Sequence, residues 1–257
     1  MLSSITLYRF KNHGEITLAI PQKLIVQGGN GVGKTNLLEA LYVAINASPP
    51  PGKTFFDLIH NGEGASFVRS KILDVRDLAP EYTVAFSSDT RRIQFLLQGR
   101  PISRPKYRAS HGLRAVLFLP IEMNLLYLGP SLRRDFVDEV LLLAFEPFTK
   151  LKREYTQVLR SRNALLKSIS EGRARASDLD AWDLLFCEKA SQYFDYRIQF
   201  VAFVEEQIVF ITSIVGKSYE LRIVYESKVD RAAPRESIRS YSALHREKDI
   251  LIGHTCI

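Results

Sequence analysis

Eight consecutive residues, Gly28-Gly29-Asn30-Gly31-Val32-Gly33-Lys34-Thr35, have the types and spacing of a phosphate-binding loop. Glycines let successive backbone N–H groups turn to one side and form a nest for an anion. A lysine at position 34 reaches the outer phosphates of a nucleoside triphosphate, and the Thr35 hydroxyl is placed to ligate Mg²⁺. Asn36 follows in the first turn of the expected helix, whose dipole adds positive potential. The expected ligand is therefore a nucleoside triphosphate with Mg²⁺, held by residues 28 to 35 with Thr35 on the metal. The alternative, a plain glycine-rich turn, has no use for Gly-Lys-Thr at a helix start.

The mechanism demands a strand, the loop and then a helix. Lys23 to Gln27 is short, apolar and partly β-branched, and is expected to be the entering strand. Leu37, Leu38, Leu41, Tyr42 and Ile45 recur at helical spacing after the loop. Upstream, Leu2 to Phe10 and Ile16 to Ile20 read as a hairpin joined through Asn12-His13-Gly14. Downstream, three prolines in Asn46 to Gly52 stop the helix. Residues 55 to 60 read as a helical turn. Ala65 to Val75, Tyr82 to Phe86 and Arg92 to Leu97 then read as antiparallel strands, and Ala115 to Leu119 as a buried strand ended by Pro120.

The 257 residues carry a net charge of +7, and all of the excess lies in one place. Residues 1–90 hold eight basic and eight acidic side chains, and residues 115–257 hold twenty of each. Between them lie Arg91, Arg92, Arg100, Arg104, Lys106, Arg108 and Arg114 with no acid. A block so pure in sign is a candidate footprint for DNA, with Tyr107 and His111 available to sugar or base. The bland alternative is a hairpin edge kept soluble by charge.

Two cysteines make no disulfide framework, and Cys187 falls within a helical pattern as a small core residue. No basic-then-apolar leader opens the chain. The most apolar long stretch, Ile198 to Val215, has Glu205 and Glu206 at its centre, which argues against a membrane span. A cytoplasmic protein is expected.

From Ser131 to Ile169 the pattern is helical, with a proline-marked restart at Glu146-Pro147 and with Arg162 interrupting the apolar seam. A polar turn leads to a second long helix from Asp178 to about Val215. Two such helices form an antiparallel hairpin whose apolar stripes pack on each other. Tyr219 to Glu226 reads as a strand, 228 to 239 as a loop, Ser240 to Lys248 as a short helix, and Asp249 onward as another strand.

Several ordered blocks resemble the RecF family, the bacterial DNA gap-repair and recombination proteins with an ABC/SMC-like ATPase head. Leu7 to Asn12 is similar to the family's L-x-x-F-R-N, with Lys11 where arginine is usual. Gly28 to Tyr42 resembles G-x-N-G-x-G-K-T-N-x-L-E-A-I-Y. Leu119 to Asp138 resembles F-x-P-E-D-L-x-L-V-x-G-x-P-x-x-R-R-x-F-L-D, with an inserted Ile121. Tyr155 to Lys167 resembles Y-x-x-x-L-x-Q-R-N-x-L-L-K, with Ser161 for the glutamine.

The resemblance implies an α/β P-loop NTPase head with β hairpins (residues 1–120), an inserted antiparallel helical arm (121–216) and a return to the head (217–257). It implies ATP-dependent homodimerisation, DNA at single-strand gaps and junctions, repair mediator partners, and roles in recombinase loading, replication-fork maintenance and the SOS response. By position, Lys11 and Asn12 would approach the nucleotide base, Glu122 would fall near the Q-loop, and Arg133 and Arg134 would match the paired arginines that open the arm; surface charge at a helix start is their plain alternative. The family's G-P-H-R-D-D segment, signature and Walker B strand have no counterpart up to Ile257, so a C-terminally truncated head without ATP turnover is expected. Two other readings remain: a different P-loop ATPase or kinase, and an inactive structural remnant that binds a protein partner.

Overall fold

The computed structural model describes residues 1–73, 78–119, 125, 129–215 and 222–255, which fall into two compact units, Met1–Leu128 and Gly129–Ile257. The first unit is built on a six-stranded antiparallel sheet of order β2-β1-β3-β4-β5-β6. Its strands are β1 (Leu2–Phe10), β2 (His13–Ala19), β3 (Ala65–Ile72), β4 (Glu81–Ser87), β5 (Arg92–Leu97) and β6 (Arg100–Ile102). Strict alternation makes β4 one-sided: Tyr82, Val84 and Phe86 are buried while their neighbours are not. The same logic buries Ile5 and Leu7 of β1 and Val68 and Ile72 of β3, while Phe10 joins them past Arg9, whose φ of 50° breaks the alternation.

Two helices join this apolar face. Helix α1 (Lys34–Asn46) contributes Leu37, Ala40, Val43 and Ala44. It stops at Ala47, which has a left-handed φ of 50° and is followed by the proline run. Helix α2 (Arg104–His111) begins with Ser103, whose side chain accepts from the Lys106 N–H, and with a proline in its first turn. Its one buried residue, Tyr107, donates its hydroxyl to Ala44 O at 2.8 Å. The helix was not expected, because seven of its eight residues carry no apolar signal.

Two expected strands of this unit differ from expectation. Residues 23–27 form no strand and pair with none among the described residues, and Ile25 is 83% exposed. Residues 115–119 likewise form no strand, with Ala115 held by the Asn46 side chain and Val116 94% exposed, so the expected buried strand is absent among the described residues. Strand composition alone forms no ladder without a neighbour. The far end of the expected strand at 65–75 lies outside the described residues, as do Pro120, Ile121 and Glu122.

The second unit is helical: α3 (Pro130–Ala144), α4 (Glu146–Ser170), α5 (Asp180–Val215) and α6 (Pro234–Ile252). α5 runs unbroken for 36 residues, about 54 Å. Ring contacts of Phe148 with Tyr196, of Tyr155 with Tyr193, and of Tyr155 with Phe186 run in opposite directions along α4 and α5, as an antiparallel hairpin requires. α6 packs on both helices and occupies positions expected to be loop, short helix and strand. Its amphipathic period continues to Ile252, and Gly253, with φ of 76°, ends it. Residues 222–226 form no strand, and Val224 is 70% exposed.

Buried charge organises this unit. Arg162, fully buried, bonds Asp183 at 2.8 Å, Asp249 at 2.9 Å and Ser242 at 3.3 Å, tying α4 to α5 and α6. Asp138 of α3, 3% exposed, meets Arg197 at 2.8 Å, Lys152 at 3.2 Å and the Tyr193 hydroxyl. Burial disfavours the Asp138 carboxylate, but the Arg197 and Tyr193 bonds outweigh it and hold the group below the usual range. Cys187 is a buried free thiol, as its pattern predicts.

Candidate phosphate-binding site

Residues 28–33 form an open loop that leads into α1. Gly31 and Gly33 have φ of 81° and 103°, in the left-handed region that glycine tolerates. The first helical bond of α1 runs from Leu37 N to Gly33 O at 2.9 Å, which leaves the N–H groups of Lys34, Thr35 and Asn36 without helical partners. No acidic residue occupies the first turn of α1. These donors, the helix dipole and the loop amides together fit a phosphate chain.

Lys34 Nζ bonds Gly28 O at 2.8 Å and Gly29 O at 2.6 Å, so the ammonium arches over the loop, where an anion would exchange with those carbonyls. Thr35 is exposed at the loop's edge, free to offer its hydroxyl to Mg²⁺. Asn30 and Val32 are exposed at the loop's crest. Asn36 turns back and donates to Asn12 Oδ1 at 2.7 Å.

The β1–β2 turn closes one side of the site. Asn12 Nδ2 donates to Gly31 O at 3.2 Å, and His13 Nε2 lies 3.2 Å from Gly33 O. Lys11 and Lys53 both pair with Glu39, a carboxylate of α1 only 1% exposed. Burial and the neighbouring Lys53 hold Lys11 below its usual value. In sequence, His13 carried no signal beyond membership of a turn, and Glu39 none beyond its match to the glutamate of the family's L-E-A block.

The basic block does not gather into one patch. Arg91 and Arg92 stand at one end of β5 and Arg100 pairs with Leu97 at the other, roughly 17 Å away at 3.4 Å per residue. On α2, Arg104 and Arg108 share a face, while the helical period sends Lys106 to the opposite one. Arg114 Nη1 donates to Leu113 O at 2.7 Å. Tyr107 and His111 are unavailable to sugar or base. Tyr107 is fully buried, and burial pushes its hydroxyl well above the usual range. His111 packs edge-on against Tyr82 and Tyr107, and burial, with Arg114 and Arg108 nearby, lowers its pKa to about 4. Arg133 and Arg134 are exposed in the first turn of α3.

No protein-family model matches the chain. Curated relatives do. The DNA replication and repair protein RecF of Beutenbergia cavernae is 27% identical over 246 residues, 92% of this chain and 61% of its own length. The protein of the same name from Leptospira interrogans is 28% identical over 261 residues, 100% of this chain and 69% of its own. That of Paenarthrobacter aurescens is 28% identical over 213 residues, 78% of this chain and 50% of its own. The chain thus spans about half to two thirds of the length of the relatives it matches.

Among solved structures, the recombination mediator protein RecF with ATPrS, described within the RecFOR pathway, superposes with a TM-score of 0.87 at 19% identity, over 100% of this chain and 70% of that one. The ATP form gives 0.85. The resemblance to the RecF family is borne out by both comparisons, and the fold is that of an ABC/SMC-like P-loop NTPase head. Among the described residues, no helix is long and apolar enough to cross a membrane.

Proposed function

We propose that this chain is a RecF-like DNA replication and repair protein whose head binds Mg·ATP through Gly28 to Asn36. The observation that carries the reading is the loop itself. Two left-handed glycines, three helix-start N–H groups and the Lys34 ammonium all lie within residues 28–36. Thr35 would be the protein's ligand to a bound Mg²⁺, which would supply charge neutralisation for the phosphates. ATP serves as a switch for dimerisation in this reading, and single-strand gaps and junctions are the DNA sites. Repair mediators are the protein partners. The charge excess in residues 91–114 supports a DNA contact, with Arg104 and Arg108 together on one face of α2.

Isothermal titration of Mg·ATP into the full chain tests the nucleotide site. Lys34→Ala should weaken binding at least about tenfold, roughly 1.4 kcal/mol. Equal binding by parent and variant would refute the assignment.

A further inference from the structure

The side chains that hold the phosphate loop in shape come from outside it. We propose that the β1–β2 turn is a template for the loop, with Asn12 and His13 as positioning residues that keep the Gly31 and Gly33 carbonyls turned away from the phosphates. This rests on the nucleotide reading above and assigns the turn a role other than approach to the base.

The argument starts from the peptide plane. In a trans peptide, the carbonyl of one residue and the N–H of the next point in opposite directions. Asn12 Nδ2 holds the Gly31 carbonyl at 3.2 Å, so the Val32 N–H faces the other way. His13 Nε2 holds the Gly33 carbonyl at 3.2 Å, so the Lys34 N–H does likewise. Those two amides belong to the nest. A carbonyl oxygen donates nothing, so His13 must carry its proton on Nε2. Asn12 is oriented in turn, since its Oδ1 accepts from Asn36 Nδ2 at 2.7 Å and leaves the amide nitrogen to Gly31.

The contact is close enough to exclude any side chain at position 33. A Cβ there would lie 2.6 Å from Asn12 Oδ1 and 2.7 Å from the His13 ring. The turn is also fixed from behind. Lys11, with φ of 52°, donates its N–H to Leu58 O at 2.9 Å, and His60 N donates to Arg9 O at 2.8 Å. Lys11 Nζ reaches the buried Glu39 of α1 at 3.1 Å. β1 itself lies between β2 and β3 with Ile5, Leu7 and Phe10 fully buried. A glycine-rich loop left alone would lose much entropy on closing around phosphates. Held by a rigid turn, it meets that ordering cost during folding instead.

The experiment compares the full chain with Asn12→Leu/His13→Phe, His13→Phe and His13→Gln. Hydrogen exchange of the Leu37 amide, which donates to the Gly33 carbonyl, is read without nucleotide, and Mg·ATP affinity by titration. One or two lost hydrogen bonds predict about tenfold faster exchange and about tenfold weaker binding in the double variant. His13→Phe should weaken binding about threefold, and His13→Gln, which keeps a donor, should stay within about twofold of the parent. If the double variant melts early, the Phe and Gln pair carries the comparison, because both keep the size of the side chain. Parental exchange and parental affinity in His13→Phe and the double variant would overturn the template. A parent chain that takes up no Mg·ATP would overturn the nucleotide reading, whereas the exchange rates, which need no ligand, would still decide whether the turn shapes the loop.

Discussion

The sheet unit and the helical unit solve the same problem with different chemistry. The core of the first is apolar: Phe10, Val68, Val84, Phe86 and the alanines of α1 pack with only hydroxyls, Glu39 and Asn46 as buried polar company. The second has smaller apolar clusters, and its helices are joined by Arg162 and Asp138, charges with several partners each. A sheet offers a continuous face on which alternation suffices. A helical hairpin offers a seam with freedom to slide, and a buried guanidinium with fixed partners on two other helices specifies one register. The difference teaches that a charge inside an apolar stripe is a lock when its partners are buried with it.

The largest expected effect tests that lock. Arg162→Met keeps the length of the stem but removes the buried guanidinium shared by Asp183, Asp249 and Ser242, and should cost about 3–5 kcal/mol in the helical unit's stability. Chemical denaturation checks it. A loss below about 1 kcal/mol would mean that the apolar seam holds the unit by itself. Arg162→Met combined with Asp249→Leu should recover much of the loss, since paired charges exchange for packing.

Acid should strike the two units in sequence. His111 is held neutral in the sheet unit with a pKa of about 4, against 6.5 for an ordinary imidazole. Its contribution is complete above pH 6.5 and is lost as pH falls toward 4, on the order of 2 kcal/mol. Asp138 is held below its ordinary 3.8, so its contribution to the helical unit persists down to that pH and fails only under stronger acid. Stability followed from pH 7 to pH 3 should therefore show the sheet unit weakening first, and His111→Gln should remove that early slope. An unchanged slope in the variant would place the acid-sensitive group elsewhere.

The smallest effect concerns DNA. Arg104→Ala/Lys106→Ala/Arg108→Ala should weaken single-strand binding severalfold and reduce the dependence of log K on log salt by about 2, at ~0.7 per phosphate contact. An unaltered salt slope would leave the charge on α2 as a solvated surface.

Much of the sheet unit was legible in the sequence. The alternation in 2–10 and 82–86 has one reading, and the Gly-Lys-Thr loop has little use outside phosphate binding. Periodicity also found the hairpin of α4 and α5. It failed where propensity needs a neighbour: 23–27 and 115–119 have strand composition, yet nothing in the described residues pairs with them. It failed again at α2, whose only buried anchor is Tyr107, so that no helical period is visible there. Arg162 looked like a fault in the seam because its partners lie 21 and 87 positions away. His13 was invisible for a similar reason, since its acceptor is 20 residues downstream and is a backbone oxygen.

Hydrogen exchange on the full chain with and without saturating Mg·ATP tests the central claim most directly. The account predicts slowed exchange at the amides of residues 31–36, with Lys34→Ala losing that protection. Heat of binding without protection at those amides would contradict it, because the nucleotide would then sit somewhere other than the loop.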